Sequence, residues 1–285
     1  MKIVILIVNY NSWDVVRSML VSSNSLDILP EFYILDNNSN DPPGFDIESV
    51  SSNAQITLVN FEYNYGYFGA AAEFLLRNPG IEFDWLFVAN ADLVFSDPCL
   101  FNYLEDFTRP YQSVGVYCPS IISEVTGQDQ NPFLSSKPSL YYYYKYKIIY
   151  SHFIISKAYA LLFSLKSKVR RILLNTQTKK NVKSVFAPHG AFLGFSKHYF
   201  SNGGIIENRN FLFFEEEIVG FICEKIGLRV IYDPRVRIDH QEHIVTGSSL
   251  TIGKILIKKH SLSIVKEYFF PKIDCEQTAG FKKWF

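Results

Sequence analysis

Lys2-Ile3-Val4-Ile5-Leu6-Ile7-Val8, meeting Asn9-Tyr10-Asn11-Ser12 without a break, is the stretch on which the fold turns. An apolar, mostly β-branched run with no polar alternation predicts a strand buried on both faces. Ser12 then stands where a helix N-cap belongs, and Trp13, Val16, Met19 and Leu20 recur at helical spacing to about residue 23. The same alternation continues outward. Residues 32–35 form a second predicted strand, which opens into Asp36-Asn37-Asn38-Ser39-Asn40-Asp41. Residues 56–59 form a third, followed by a glycine turn, Asn64-Tyr65-Gly66-Tyr67-Phe68-Gly69, and a helix over about 68–77. A fourth, at 85–89, ends in Asn90-Ala91-Asp92. Strands alternating with helices imply an α/β domain with a mostly parallel central sheet. In such sheets ligands bind at the carboxyl ends of the strands, so these polar clusters are expected to gather along one rim.

With 285 residues and 48% apolar content, the chain suffices for one large domain, or one domain with a sizeable insertion. Its 28 basic and 28 acidic side chains cancel, which argues against a nucleic-acid binder, and 16% aromatics excludes a disordered chain. The charges are unevenly spread. No acidic residue lies between Asp129 and Glu207, a segment that holds 12 lysines and arginines; the remainder carries 16 basic against 28 acidic groups. Cys99, Cys118, Cys223 and Cys275 show no metal or redox spacing and suit a reducing compartment. The first apolar run is too short for a signal peptide, and no run of 18–20 apolar residues predicts a membrane span.

From 140 to about 174 the chain becomes rich in tyrosine, lysine and leucine, reading as one or two amphipathic helices interrupted near Ser151 and His152. Four consecutive tyrosines, 141–144, cannot all face one core. The fold resumes with the apolar residues 184–196, then Phe211-Leu212-Phe213-Phe214-Glu215-Glu216-Glu217, a helix to Ile226, a strand at 229–232, and a basic amphipathic helix over 250–269. No linker separates independent domains. The expected division is 1–98 for a nucleotide-binding half, 99–249 for an acceptor-binding half with a helical insertion at about 135–183, and 250–285 for a helical tail.

Neither a dinucleotide-binding glycine fingerprint nor a phosphate loop follows the first strand. What the sequence offers is a carboxylate at a strand end, Asp92, a glutamate cluster opening a helix and a late histidine, His240. A diphosphate leaving group is most simply neutralised by a divalent cation on hard oxygen ligands, and a hydroxyl nucleophile needs a carboxylate base. Together these parts fit group transfer from a nucleoside diphosphate. Read singly, Asp92 is a helix cap or turn residue, Glu217 an ordinary first-turn acid favoured by the helix dipole, and His240 a satisfied polar residue.

The ordered set Val8-Asn9-Tyr10-Asn11-Ser12, Leu35-Asp36-Asn37-Asn38-Ser39, Asn64-Tyr65-Gly66-Tyr67-Phe68-Gly69, Asn90-Ala91-Asp92, Pro188-His189-Gly190-Ala191-Phe192, Phe211 to Glu217 and Asp239-His240 resembles inverting glycosyltransferase family 2 of the GT-A (Rossmann-like) fold. Within it the sequence resembles rhamnosyltransferase-like enzymes of bacterial surface polysaccharides. The resemblance spans nearly the whole chain except roughly 130–183. It implies that Asn9, Asn11 and Asp36 border the nucleobase and ribose, that Asn64 and Gly66 lie near the sugar or diphosphate, and that Asn38, Asn90 and Asp92 also contact the nucleotide sugar. Asp92 and His240 would hold Mn²⁺ or Mg²⁺. Glu216 would be the catalytic base, with Glu215 as the alternative, and His189 and Gly190 would line the acceptor pocket. Three departures stand out: the turn Asn90-Ala91-Asp92 has one carboxylate instead of two, Glu216 replaces the commoner aspartate, and Ala71 and Ala72 replace polar or glycine positions.

The resulting expectation is an enzyme moving a sugar, with inversion, from a dTDP- or UDP-linked donor (rhamnose first) to a glycan or polyprenyl-diphosphate-linked acceptor. The basic insert would bind the cytoplasmic face of the inner membrane, since tyrosines suit headgroups and each lysine near an anionic surface contributes about 1 kcal/mol. Nucleic acid is not an expected partner. A non-catalytic assembly partner that binds nucleotide sugar or lipid is the alternative, and a nucleotidyltransferase lacks its signature.

Overall fold

The computed structural model describes residues 1–50, 54–108, 113–162, 181–242 and 250–271. Strand β1 (Ile3–Asn9) is buried along its whole length. Its alternate side chains divide between two cores, Val4, Leu6 and Val8 on one face and Ile3, Ile5 and Ile7 on the other. Each such side chain contributes about 1.5–3 kcal/mol on burial, which makes this strand the spine of the sheet. Helix α1 (Trp13–Ser23) closes the second face with Trp13, Val16, Met19 and Leu20. Ser12 does not cap α1 through its side chain; its hydroxyl donates to Asn9 Oδ1 at 2.9 Å instead.

The chain continues through β2 (Glu31–Asp36), α2 (Ile47–Val50), β3 (Ile56–Asn60), α3 (Tyr67–Arg77), β4 (Trp85–Asn90) and β5 (Leu93–Val94). Next come β6 (Val114–Ser123), α4 (Leu140–Ile149), a helix α5 described over 153–162, β7 (Lys183–Val185), β8 (Phe192–Ser196) and α6 (Lys197–Ser201). Helix α7 (Glu215–Lys225), β9 (Arg229–His240) and α8 (Ile252–Phe269) complete it. The sheet order is β3-β2-β1-β4-β8-β6-β9-β5, with β7 also pairing β9. Strands β3, β2, β1, β4, β6 and β9 share one direction, and β8, β7 and β5 oppose it. The sheet is therefore mostly parallel in the GT-A manner, and β1 and β4 point their carboxyl ends at the same rim.

Two features depart from the sequence expectation. Strand β6 was not anticipated, and β9 runs eight residues past the predicted end at Tyr232, reaching His240. The register of β6 on β9 shifts between Pro119 and Ser120, and that irregularity accommodates Pro234 in the longer strand. The expected break near Ser151 and His152 separates α4 from α5. The rest of the insertion, 163–180, lies outside the described residues, as does Cys275. No α-helix starts near Pro98, so Asp92 caps none; a turn and a short 3₁₀ segment, Leu104–Phe107, stand there. Among the described residues no helix is long and apolar enough to cross a membrane.

Candidate active site

At the tip of β1, Asn9 is wholly buried and its polar atoms are engaged inside the chain. Its Nδ2 donates to Asp36 Oδ1 at 2.9 Å, and its Oδ1 accepts from the Ser12 amide and hydroxyl. Asp36 accepts in addition from the Ser39 hydroxyl and amide. Asn9 and Asp36 thus fasten the β1 and β2 tips together, while Asn11 and Asn38, both exposed and at positive φ of 53° and 65°, present the loops outward. Asn11 also lines a shallow cleft of about 490 Å³ with Ser12, Trp13 and Asn40.

The sequence reading missed Asn37. Buried at the β2 tip, it donates from Nδ2 to Gly66 O at 2.9 Å and accepts the Tyr65 amide at 2.8 Å, which anchors the glycine turn. Asn64 Oδ1 accepts the Gly66 amide in the same turn. Gly66 has φ +78°, and a Cβ there would lie 2.1 Å from Phe211 O, so only glycine lets the two segments meet. That meeting delivers Tyr67, whose hydroxyl donates to Gly190 O at 2.7 Å.

Strand β4 ends at Asn90, and buried Asp92 follows. Among the described residues Asp92 Oδ1 has no hydrogen-bond partner, and it lies 3.3 Å from His240 Nε2 at the end of β9. His240 Nδ1 pairs with Gln130 Oε1 at 2.7 Å. Because that oxygen only accepts, Nδ1 donates to it, and in the neutral ring Nε2 then turns a lone pair toward Asp92. Two electron-rich atoms facing each other, with the histidine tautomer fixed from behind, suit a divalent cation completed by diphosphate oxygens and water. No group of three or more His, Cys, Asp or Glu that could hold a metal occurs among the described residues. His189 packs 5.7 Å from the His240 ring, and burial together with that neighbour holds its pKa down to about 4.

The glutamates sit at the mouth of α7, after Phe213 and Phe214, whose φ angles of 74° and 67° are unusual for aromatic residues. Glu216 Oε1 accepts the Gly190 amide at 3.1 Å, and its side chain stays partly open to a cleft of about 310 Å³. Burial raises its proton affinity, opposed by its own helix N–H, the Gly190 amide and Lys258. Glu215 is buried, with Oε1 unpartnered among the described residues, and burial beside Glu216 raises its pKa well above the ordinary range.

Glu217 stands in the first turn of α7, as expected, yet it is more than an ordinary dipole-favoured acid. It is 1% exposed, accepts the Tyr142 hydroxyl, and is pushed up to about 8 by burial and then by Glu216. The insertion is likewise part of this site. Tyr142 and Tyr146 of α4 and Tyr150 just after it line the cleft with Asn90, His189, Gly190 and the three glutamates, and α8 contributes Lys258. Nothing in the tyrosine run announced this, because the contact depends on α4 folding back over α7. Tyr143 alone of the four consecutive tyrosines enters the core, and Tyr141 and Tyr144 are exposed.

Solved structures share the architecture. GalNAc-T7 with UDP, GalNAc and Mn²⁺ superposes with TM-score 0.53 at 13% identity, over 98% of this chain and 52% of that one. This chain thus spans about half the length of that relative. Staphylococcus aureus TarS 1–349 gives 0.53 at 12%, over 99% and 78% of the two chains. The mannosyltransferase PcManGT from Pyrobaculum calidifontis, in complex with GDP-Man and Mn²⁺, gives 0.54 at 13%, over 100% and 76%. At these identities the likeness is one of fold. No curated protein matches the chain. The family model described as Glycosyl transferase family 2 matches residues 4–166, more than half of the sequence, and the chain belongs to that family.

Proposed function

We propose that the chain transfers a sugar, with inversion, from a nucleoside-diphosphate donor, dTDP- or UDP-linked, to a hydroxyl of a glycan or lipid-linked acceptor. The observation that carries this reading is Glu216, fixed by the Gly190 amide at 3.1 Å and open to a cleft that also reaches Asn90 at the end of β4. Its carboxylate takes the proton of the acceptor hydroxyl as that oxygen attacks the anomeric carbon from the face opposite the leaving group. The anomeric C–O bond breaks, and the nucleoside diphosphate departs with its electron pair. Asp92 and His240 are the residues that would hold a divalent cation, which when bound neutralises charge on the diphosphate. Asn9, Asp36 and Asn37 position the rim; Asn11, Asn38, Asn64, Gly66 and Asn90 are the proposed donor contacts, and His189 and Gly190 border the acceptor.

A panel of UDP- and dTDP-sugars with Mn²⁺ tests the assignment. Glu216→Gln should lower transfer roughly 10²–10⁴-fold, with Glu215→Gln retaining most of it. If neither substitution lowers transfer, the base assignment fails. A chain that binds nucleotide sugar without transferring is then the better reading.

A basic membrane-facing surface belongs to the same proposal, at the cytoplasmic face of the inner membrane. Ile148, Ile154, Leu161 and Leu162 are exposed on α4 and α5, with Ile154 at 80%, and Lys145, Lys147 and Lys157 lie on the same two helices. Because α4 also walls the cleft, point changes are a cleaner test than deletion. Ile148→Glu with Ile154→Glu and Leu161→Glu should abolish flotation with phosphatidylglycerol vesicles; unchanged flotation would sink the membrane assignment.

A further inference from the structure

Lys258 brings a positive charge into an aromatic wall. Its ammonium lies 4.5 Å over the Phe213 ring and 5.6 Å over Tyr150, and it forms no ion pair with any described residue. Burial and the neighbouring Lys254 both disfavour its charge. A desolvated cation is costly unless something negative meets it. Glu216 is within its field, yet the two carboxyls on either side of that base, Glu215 and Glu217, are held toward their neutral forms by burial. Nor does Lys258 share the lining of its cleft with Asp92 or His240, the pair suited to the donor's cation.

The same end of the cleft is short of hydrogen-bond partners. Glu217 Oε2 and Glu215 Oε1 are buried and unpartnered among the described residues, on side chains that are 1% and 4% exposed. Tyr142 donates to Glu217, Tyr146 packs between Tyr142 and Tyr150, and Tyr150 and Phe213 face Lys258 in the same cleft. Aromatic faces accept the apolar faces of a sugar ring, carboxyl oxygens pair with ring hydroxyls, and an ammonium takes an anion. We propose that this end of the cleft is the acceptor subsite, and that it takes a sugar bearing a phosphate or carboxylate, held by Lys258, with its hydroxyls paired to Glu217 and its ring stacked on the α4 tyrosines. This rests on Glu216 as the base and names the class of acceptor that reaches it.

The test is binding, so it does not depend on transfer. The full chain is titrated with glucose, glucose 1-phosphate and glucuronate, with and without UDP and Mn²⁺. At least one anionic sugar should bind about tenfold or more tightly than glucose, the ratio expected of a charge-assisted hydrogen bond. The preference should persist with UDP present, vanish in Lys258→Met, and survive in Lys258→Arg. A gain for glucose 1-phosphate alone marks an anomeric phosphate, as on a lipid-linked acceptor; a gain for glucuronate alone marks an acidic glycan. Either supports the proposal, as does a gain for both. Tyr142→Ala, which removes a stacking face, should weaken all three sugars alike, and unchanged binding of all three would overturn the stacking. Equal binding of charged and neutral sugars overturns the proposal, and so does inorganic phosphate competing as strongly as glucose 1-phosphate. A Lys258→Met variant that loses UDP instead of the anionic sugar assigns the lysine to the donor and overturns it too. Full transfer by Glu216→Gln with the sugar preference intact would remove the base assignment while leaving the anion subsite standing.

Discussion

Glu217 shows how one buried carboxyl ties pH to stability. Its pKa is raised from 4.5 to about 8, so between those values the unfolded chain has released a proton that the folded chain keeps. The stabilisation from this group is complete below about pH 4.5 and is lost as pH rises toward 8, at no more than about 1.4 kcal/mol per pH unit. Glu217→Gln, which still accepts the Tyr142 hydroxyl, should flatten that slope in urea denaturation between pH 5 and 8. A variant with the wild-type slope would show that the carboxyl is ionised throughout. Gly66 tests backbone geometry. An alanine there meets Phe211 O at 2.1 Å on a φ of +78°, and should cost about 2–4 kcal/mol in denaturant unfolding. A loss below about 1 kcal/mol would mean that the glycine turn and the Phe211 segment can separate.

Among the elements, the β1 and β2 tips are paired through their backbones, and the Asn9 side chain adds a buried tie between them. Asn9→Ala would strand the Ser12 amide and remove a donor from Asp36, for a cost of about 1–3 kcal/mol and, if the rim binds donor, a higher donor KM. An unchanged denaturation midpoint would show that water replaces the asparagine without penalty. The parallel half of the sheet was legible because β1 and β4 are unbroken apolar runs, each ending in an asparagine turn. Strand β6 escaped notice because Val114-Gly115-Val116-Tyr117-Cys118-Pro119-Ser120 mixes apolar residues with glycine, proline and serine. Strand β9 was cut short because Pro234 reads as a stop and Arg235, Arg237 and Asp239 as a solvated stretch, although Val236 and Ile238 alternate with them into the core. Glu215 and Glu216 were readable from the aromatic run before them. Glu217 and Lys258 were not, since their place in the cleft depends on α4 and α8 packing over α7, which no local pattern records.

For the whole molecule, ligand binding should appear as added stability. UDP at about 100 times its Kd contributes about 2.7 kcal/mol, or roughly 5 °C in Tm for a domain of this size. Asp92→Ala should remove the part of that shift that requires Mn²⁺; a shift equal with and without Mn²⁺ in the native chain would displace Asp92 and His240 from metal binding. The unequal spread of charge acquires a location as well. The basic stretch contributes α4 to the wall of a largely aromatic cleft whose charged lining is Glu215, Glu216, Glu217 and Lys258, while Lys145, Lys147 and Lys157 lie on α4 and α5. The strand order bears on biosynthesis. Strand β6 joins the sheet through β8 and β9, and β8 occupies the place beside β4. From Ser123 to Ser196 the ribosome adds 73 residues, which takes roughly 4–15 s at ordinary elongation rates. Throughout that interval a strand that is almost wholly buried in the finished protein has neither β8 nor β9 to pair with, and this nascent segment is where a chaperone would be needed most.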